Sequence, residues 1–169
     1  MYAGFRRRLK AFAFDYVLIF SYMLLLLMLS MFVIPTVQEW FQGSRVIAQL
    51  TGFMMLTLPV SIYFIIADSK IGKQSFGKHK INIIVTDENN QPLSVGRAVS
   101  RTFLKFLPWE LSHFMVYRMI QLKEAELQLS DYFIWGLIYG LIFLSVIMVI
   151  FTKNKQTLYD WLTKTYVIK

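Results

Sequence analysis

Three stretches of the chain carry no charged side chain: Tyr16 to Gln38, Val46 to Ala67 and Tyr132 to Thr152. Crossing the hydrocarbon of a bilayer takes roughly 20 mostly apolar residues in a helix, so each predicts a transmembrane helix. The first runs through "LLLLMLSMFVIP" towards Trp40, too long for the apolar region of a secretory signal, which is usually about 7 to 15 residues. A fourth stretch, "FLKFLPWELSHFMVYRMIQL" (103–122), is apolar but interrupted by Lys105, Glu110, His113 and Arg118. It predicts either a fourth membrane helix that turns those groups towards its neighbours, or two amphipathic interfacial helices broken at Pro108. Between the second and fourth stretches the period changes. Ile81, Ile83 and Val85 alternate with Asn82, Ile84 and Thr86, predicting a strand over 79–86, followed by a turn at "DENNQP" and a helix from near Ser94. The terminal "KTYVIK" is short and β-branched. It is a possible partner, because a lone strand is marginal.

The pattern as a whole predicts an all-α membrane protein with three to four transmembrane helices, a small cytoplasmic β element and an amphipathic interfacial helix. One domain is expected over 1–169, with spans near 14–37, 46–67, 103–122 and 132–152 and a cytoplasmic segment at 68–102. Composition agrees: 56% of the 169 residues are hydrophobic, only 17% are charged, and the mean hydropathy is +0.50. Charge then orients the chain. Arg6, Arg7, Arg8 and Lys10 precede the first span, a run of basic residues from Lys70 to Lys105 follows the second, and Lys153, Lys155, Lys164 and Lys169 follow the last. By the positive-inside rule both termini face the cytoplasm. That requires an even number of crossings and favours the fourth helix, with an acidic outer segment at "KEAELQLSD" (123–131). The same rule accounts for the net charge of +8 without nucleic acid as a partner. With no cysteine in the chain, disulfides and thiolate metal sites are excluded, and no cofactor is expected.

Several motifs invite chemistry. "GKQSFGK" (72–78) has most of a P-loop, but His79 stands where Ser or Thr would ligate magnesium, and a strand is predicted to follow where the mechanism needs a helix. A basic turn facing lipid headgroups is the plainer reading. Glu110 and His113, three residues apart, suit a proton relay or simply a helix face satisfied by its neighbours; two ligands do not make a metal site. Gly136 and Gly140 have the spacing that lets helices approach closely. Pro59 removes a backbone donor in mid-span and leaves the Met55 carbonyl open to another partner. Asp15 is the costliest group, because a carboxylate at membrane depth needs a partner. Arg8 is seven residues away, about 10.5 Å along a helix, too far to pair directly. Arg101 or Lys78 at the same leaflet is the expected partner; the alternative is an ordinary interfacial residue reaching out to headgroups.

Three ordered blocks, "RLKAFAFD" (8–15), "SFGKHKINIIVTDENNQPLSVGRAVSR" (75–101) and "TLYDWLTKTYVI" (157–168), resemble the RDD family of small prokaryotic membrane proteins. That family is named for an arginine and two aspartates, here Arg8, Asp15 and Asp160. Ser75, Gly77 and Lys78 match its "T-x-G-K" element and Arg101 its later arginine. Lys73 stands where the family often has glycine, and Leu162, Thr163 and Lys164 stand where "A-G-T" is common. The resemblance implies a helical protein of a bacterial cytoplasmic (inner) membrane, not an enzyme, with small-solute transport or monovalent cation/proton exchange as the suggested activity. The alternative is a non-catalytic accessory, assembly or lipid-binding protein in which the same charges form a structural clasp. Membrane lipid, a second copy of the chain or another membrane protein, and a monovalent cation or proton are the partners expected. In the transport reading Asp15 is the titratable group, with Arg8, Arg101 and Asp160 setting its charge.

Overall fold

The computed structural model describes residues 1–122 and 127–169; positions 123–126 of the expected acidic segment lie outside the described residues. Helix α1 (Phe5–Phe32) begins earlier than the span near 14–37, so the basic cluster lies on its first turns, and it stops three residues before Pro35. After that proline a separate short helix starts, α2 (Thr36–Gln42). Helix α3 (Arg45–Gly52) is capped by Ser44, whose hydroxyl accepts from the Ile47 N–H. It passes through one π-helical segment, Phe53–Thr57, into α4 (Leu58–Asp68). Pro59 at the start of α4 cannot donate to the Met55 carbonyl; the Tyr22 hydroxyl of α1 donates there at 2.7 Å. The freed carbonyl anticipated from the sequence is thus satisfied by a neighbouring helix.

Helix α5 (Phe76–Ile81) and strand β1 (Ile84–Thr86) replace the longer strand expected over 79–86. Ser75 caps α5, and Asn82 ends it with a left-handed backbone, φ 54°. This one left-handed residue turns an apparent alternation into helix, turn and strand. Helix α6 (Val95–Leu122) runs unbroken through Pro108, so the pair of helices broken at that proline does not form. Its 28 residues reach about 42 Å and pack on α3, α4 and α7 (Leu129–Phe151). A short α8 (Leu158–Leu162) and strand β2 (Tyr166–Ile168) complete the chain.

Strand β2 pairs antiparallel with β1, placing Val85 opposite Val167. The amino terminus joins the same sheet: Ala3 N–H donates to the Val167 carbonyl at 2.8 Å and Lys169 N–H to the Met1 carbonyl at 3.1 Å. Ala3, Ala11, Ile83, Val85, Leu93, Ala98 and Val167 form the buried apolar core beneath it. The start of α1, the end of α4, the start of α6 and the end of α7 meet at this one end, so both termini lie on the same side of the bundle.

Elsewhere the usual arrangement is inverted. Large apolar side chains point outwards, with Phe32, Phe143 and Phe151 each at least two-thirds exposed, while Asp15, Asp68, Arg101, Asp131 and Asp160 are buried. Three helical rods, Phe5–Phe32, Arg45–Asp68 and Leu129–Phe151, are long and apolar enough to cross a membrane. α6 equals α1 in length but carries the polar groups noted above. An apolar exterior over a polar interior suits lipid as the solvent, not water.

Candidate functional site

The site begins with two turns of α1. Arg8 and Asp15 share a face, as their spacing requires, and each finds a different partner. At Asp15 the donors are uncharged: Gly77 N–H at 2.7 Å and the Tyr63 hydroxyl at 3.0 Å reach Oδ1, and the Ser75 hydroxyl at 2.7 Å reaches Oδ2. Tyr63 itself accepts from the Phe76 N–H at 2.9 Å. The expected pairing of Asp15 with Arg101 or Lys78 therefore does not form. A helix does follow "GKQSFGK", contrary to the strand expected there, but the amide end of α5 is taken by the chain's own carboxylate, where a P-loop would hold phosphate. Contact is so close that a β-carbon on Gly77 would lie 1.9 Å from the Ala11 carbonyl oxygen. Only glycine fits.

The remaining charges form an alternating chain. Arg8 Nη1 donates to Asp160 Oδ2 at 2.5 Å. Arg101 Nε and Nη2 lie 2.9 and 2.8 Å from Asp160 Oδ1, and its Nη1 reaches Asp68 Oδ2 at 2.7 Å. Asp68 Oδ1 accepts from Lys78 Nζ. Five groups from α1, α4, α5, α6 and α8 are thus joined in the order Arg8, Asp160, Arg101, Asp68, Lys78. Arg8 also ties down the chain after α7 by donating to the Lys155 carbonyl at 2.6 Å. Asp160 doubles as a capping residue, since its carboxylate accepts from the Thr157 N–H while the Thr157 hydroxyl accepts from the Asp160 N–H.

Burial alone would raise the Asp160 carboxyl, but the guanidinium groups of Arg101 and Arg8 outweigh it and hold the group below the usual carboxylate range. Arg101 shows the complementary effect: burial favours losing its proton, and Asp160 with Asp68 pushes its pKa up instead. Burial next to Asp160 also raises the Tyr159 phenol.

A cavity of about 80 Å³ lies against this network, lined by Arg8, Asp15, Lys78, Arg101, Lys105 and Tyr159 among others. Lys105 differs from the other cations. Its Nζ sits 3.4 Å from the centre of the Phe64 ring, and among the described residues no carboxylate forms an ion pair with it. Arg8, Lys78, Arg101 and Lys105 are four basic side chains against the three acids Asp15, Asp68 and Asp160, so the cluster holds one more base than acids.

The second candidate pair lies farther along α6. Glu110 accepts from the Thr57 hydroxyl at 2.7 Å and from the Gln49 side-chain amide, and His113 Nδ1 lies 3.7 Å from Glu110 Oε2. Gln49 Oε1 and His113 Nδ1 are buried without a hydrogen-bond partner. This layer abuts the π-helical segment, which ends at Thr57. It lacks the three ligands a metal site needs: among the described residues no group of three or more His, Cys, Asp or Glu side chains is placed to hold a metal ion.

Asp68 is the member that sequence reasoning missed. The charge-free stretch stops at Ala67, and the carboxylate on the next residue, which the span itself delivers to the cluster, is the available signal. Tyr63 gave no signal. Two left-handed residues also correct the match of motifs. Lys73 has φ 66° where glycine is common, and Lys164 has φ 51° where a glycine would suit the backbone equally. "A-G-T" therefore corresponds to Thr163, Lys164 and Thr165, one residue later than the sequence suggested. This register places a threonine hydroxyl 3.2 Å from Asp160 Oδ1.

Neither the curated proteins nor the solved structures yield a match to this chain. The model of the RDD family matches residues 2–164, a range that takes in Arg8, Asp15, Arg101 and Asp160 and both ends of the ion-pair chain. This multi-pass membrane protein belongs to the RDD family.

Proposed function

We propose that the protein is a small transporter of the bacterial cytoplasmic (inner) membrane that exchanges a monovalent cation for a proton, with both termini in the cytoplasm. The observation that carries this reading is Glu110. It is a carboxylate inside the bundle whose hydrogen bonds come from neutral groups, Thr57 and Gln49, beside a π-helical break and an unpartnered His113 Nδ1. Ionisable groups at such depth commonly mark ion and proton routes, and π-helical turns recur at functional positions. Glu110 alternates between holding a proton and holding a cation, with Gln49 Oε1 as a further oxygen ligand.

Asp15, the group expected from sequence to titrate, is better suited to holding α5 against α1, because one of its donors is the backbone amide of Gly77, which cannot turn away as the side-chain donors of Glu110 can. The basic character of the sheet end supports a cytoplasmic position for it. Four helices enclose little space, which favours a homo-oligomer. In this reading the chain carries solutes and catalyses no covalent chemistry.

The test is proton flux in proteoliposomes under sodium, potassium and lithium gradients. Glu110→Gln lowers flux to that of empty vesicles, whereas Asp15→Asn reduces the yield of folded protein and leaves flux per folded molecule intact. Unchanged flux in Glu110→Gln removes this mechanism. The closed charge cluster favours a second reading, an accessory or assembly protein held by a structural clasp. Its signature is the absence of flux from the wild type under every gradient.

A further inference from the structure

A groove of about 570 Å³ lies between α1, α6, α7 and α8, within the size range of pockets that take small molecules. Its walls are mostly apolar, including Leu9, Trp109, Ile142 and Val146, and the charged residues that line it are Arg8 and Lys105. Both also line the small cavity of the charge cluster, so the groove opens at its charged end onto Lys105 and Tyr159. From Lys105 it extends along α6 to Ser112, seven residues, about 10 Å of helix.

We propose that this groove binds an anionic phospholipid, its acyl chain lying between α6 and α7 and its phosphate on Lys105. Charge complementarity selects the occupant. Arg8 is already committed to Asp160, whereas Lys105 has no carboxylate partner among the described residues and no carboxylate lines the groove. The groove also sits between helices that present apolar faces to lipid. A membrane-surface lysine typically favours anionic over zwitterionic lipid by about fivefold. The site does not depend on any transport activity at Glu110, which the groove does not include.

The experiment is native mass spectrometry of the full-length protein in mild detergent with equimolar phosphatidylglycerol and phosphatidylcholine of the same acyl composition. The wild type retains phosphatidylglycerol about fivefold over phosphatidylcholine. Lys105→Gln brings that ratio close to one, while Lys153→Gln, which lies outside the groove, leaves it unchanged. Ser145→Trp fills the groove without touching a charge and loses retained lipid of both kinds, so the proposal remains testable if Lys105→Gln does not fold. Equal retention of the two lipids by the wild type overturns it, as does a preference that survives both groove variants. So does a Ser145→Trp that alters the oligomeric state with lipid retention unchanged, which would mean a second copy fills the groove.

Discussion

Replacing Gly77 with alanine tests how much of the fold depends on the contact between α5 and α1. The added β-carbon would lie 1.9 Å from the Ala11 carbonyl oxygen and 2.9 Å from Asp15 Cγ. Bringing that carbon to an ordinary C···O contact of about 3.3 Å requires α5 to move away by more than about 1 Å. The Gly77 N–H to Asp15 bond, 2.7 Å in the native state, then lengthens to roughly 4 Å, beyond hydrogen-bonding range. A bond to a charged group contributes about 1.5 to 3 kcal/mol, and disturbing the neighbouring Ser75 bond adds to the loss. A total near 3 kcal/mol corresponds to a fall in Tm of roughly 6 to 12 °C for a chain of this size. Thermal unfolding in detergent, followed by circular dichroism, measures it. Gly96→Ala is the internal control, because nothing lies within 4 Å of the added carbon; it should be neutral or stabilise by up to about 1 kcal/mol. A Gly77→Ala protein melting within about 1 °C of wild type would refute the argument that this approach holds Asp15 in place.

Two further outcomes follow from the geometry. Lys73→Gly removes the cost of a left-handed conformation in a residue with a β-carbon, φ 66°, and should raise stability by about 1 kcal/mol, read as a small increase in Tm. Asp160→Asn leaves the buried Arg101 and the part-buried Arg8 guanidinium groups short of charge and should cost about 3 to 5 kcal/mol at pH 7. Because the folded-state pKa of Asp160 is depressed, the stability it confers is complete above its unfolded value near 4 and declines as pH falls from there. The Tm gap between wild type and Asp160→Asn should accordingly stay constant from pH 8 to about 5 and narrow only below about pH 4, and a gap that closes at pH 6 would contradict this assignment.

Charge-free length made the three spanning rods legible, because nothing else in a sequence imitates twenty uncharged apolar residues. Lysine and arginine placement called for both termini on one side, and the two termini do meet in one sheet; α6 packs beside the three rods without the charge-free length that marks them. Local alternation misled at 79–86, where Ile81 and Ile83 both face the core across a left-handed Asn82, a backbone state that hydrophobic period does not report. The pairing of charges was harder still. Arg8, Asp15, Lys78, Arg101 and Asp160 were all identified as candidates and are brought to one end, but which acid meets which base depends on three-dimensional placement. Asp15 proved to be served by an amide and two hydroxyls, donors that carry no charge signal in a sequence. Asp68, the acid that Lys78 and Arg101 share, was hidden by its position one residue past a stretch defined by having no charge.

The bond between Arg8 and Asp160 joins residues 152 positions apart, and this separation imposes an order on how the protein is made. At about 5 to 20 residues per second, roughly 8 to 30 s pass between synthesis of Arg8 and synthesis of its acid. Arg101 waits for the same carboxylate. The first helices must therefore enter the membrane with their charges unmatched, kept in contact with water or headgroups at the surface. Only when the segment that carries Asp160 leaves the ribosome can it dock and draw those groups out of solvent. Closure of the bundle end thereby waits for α8, a part of the chain that contributes little to the membrane itself.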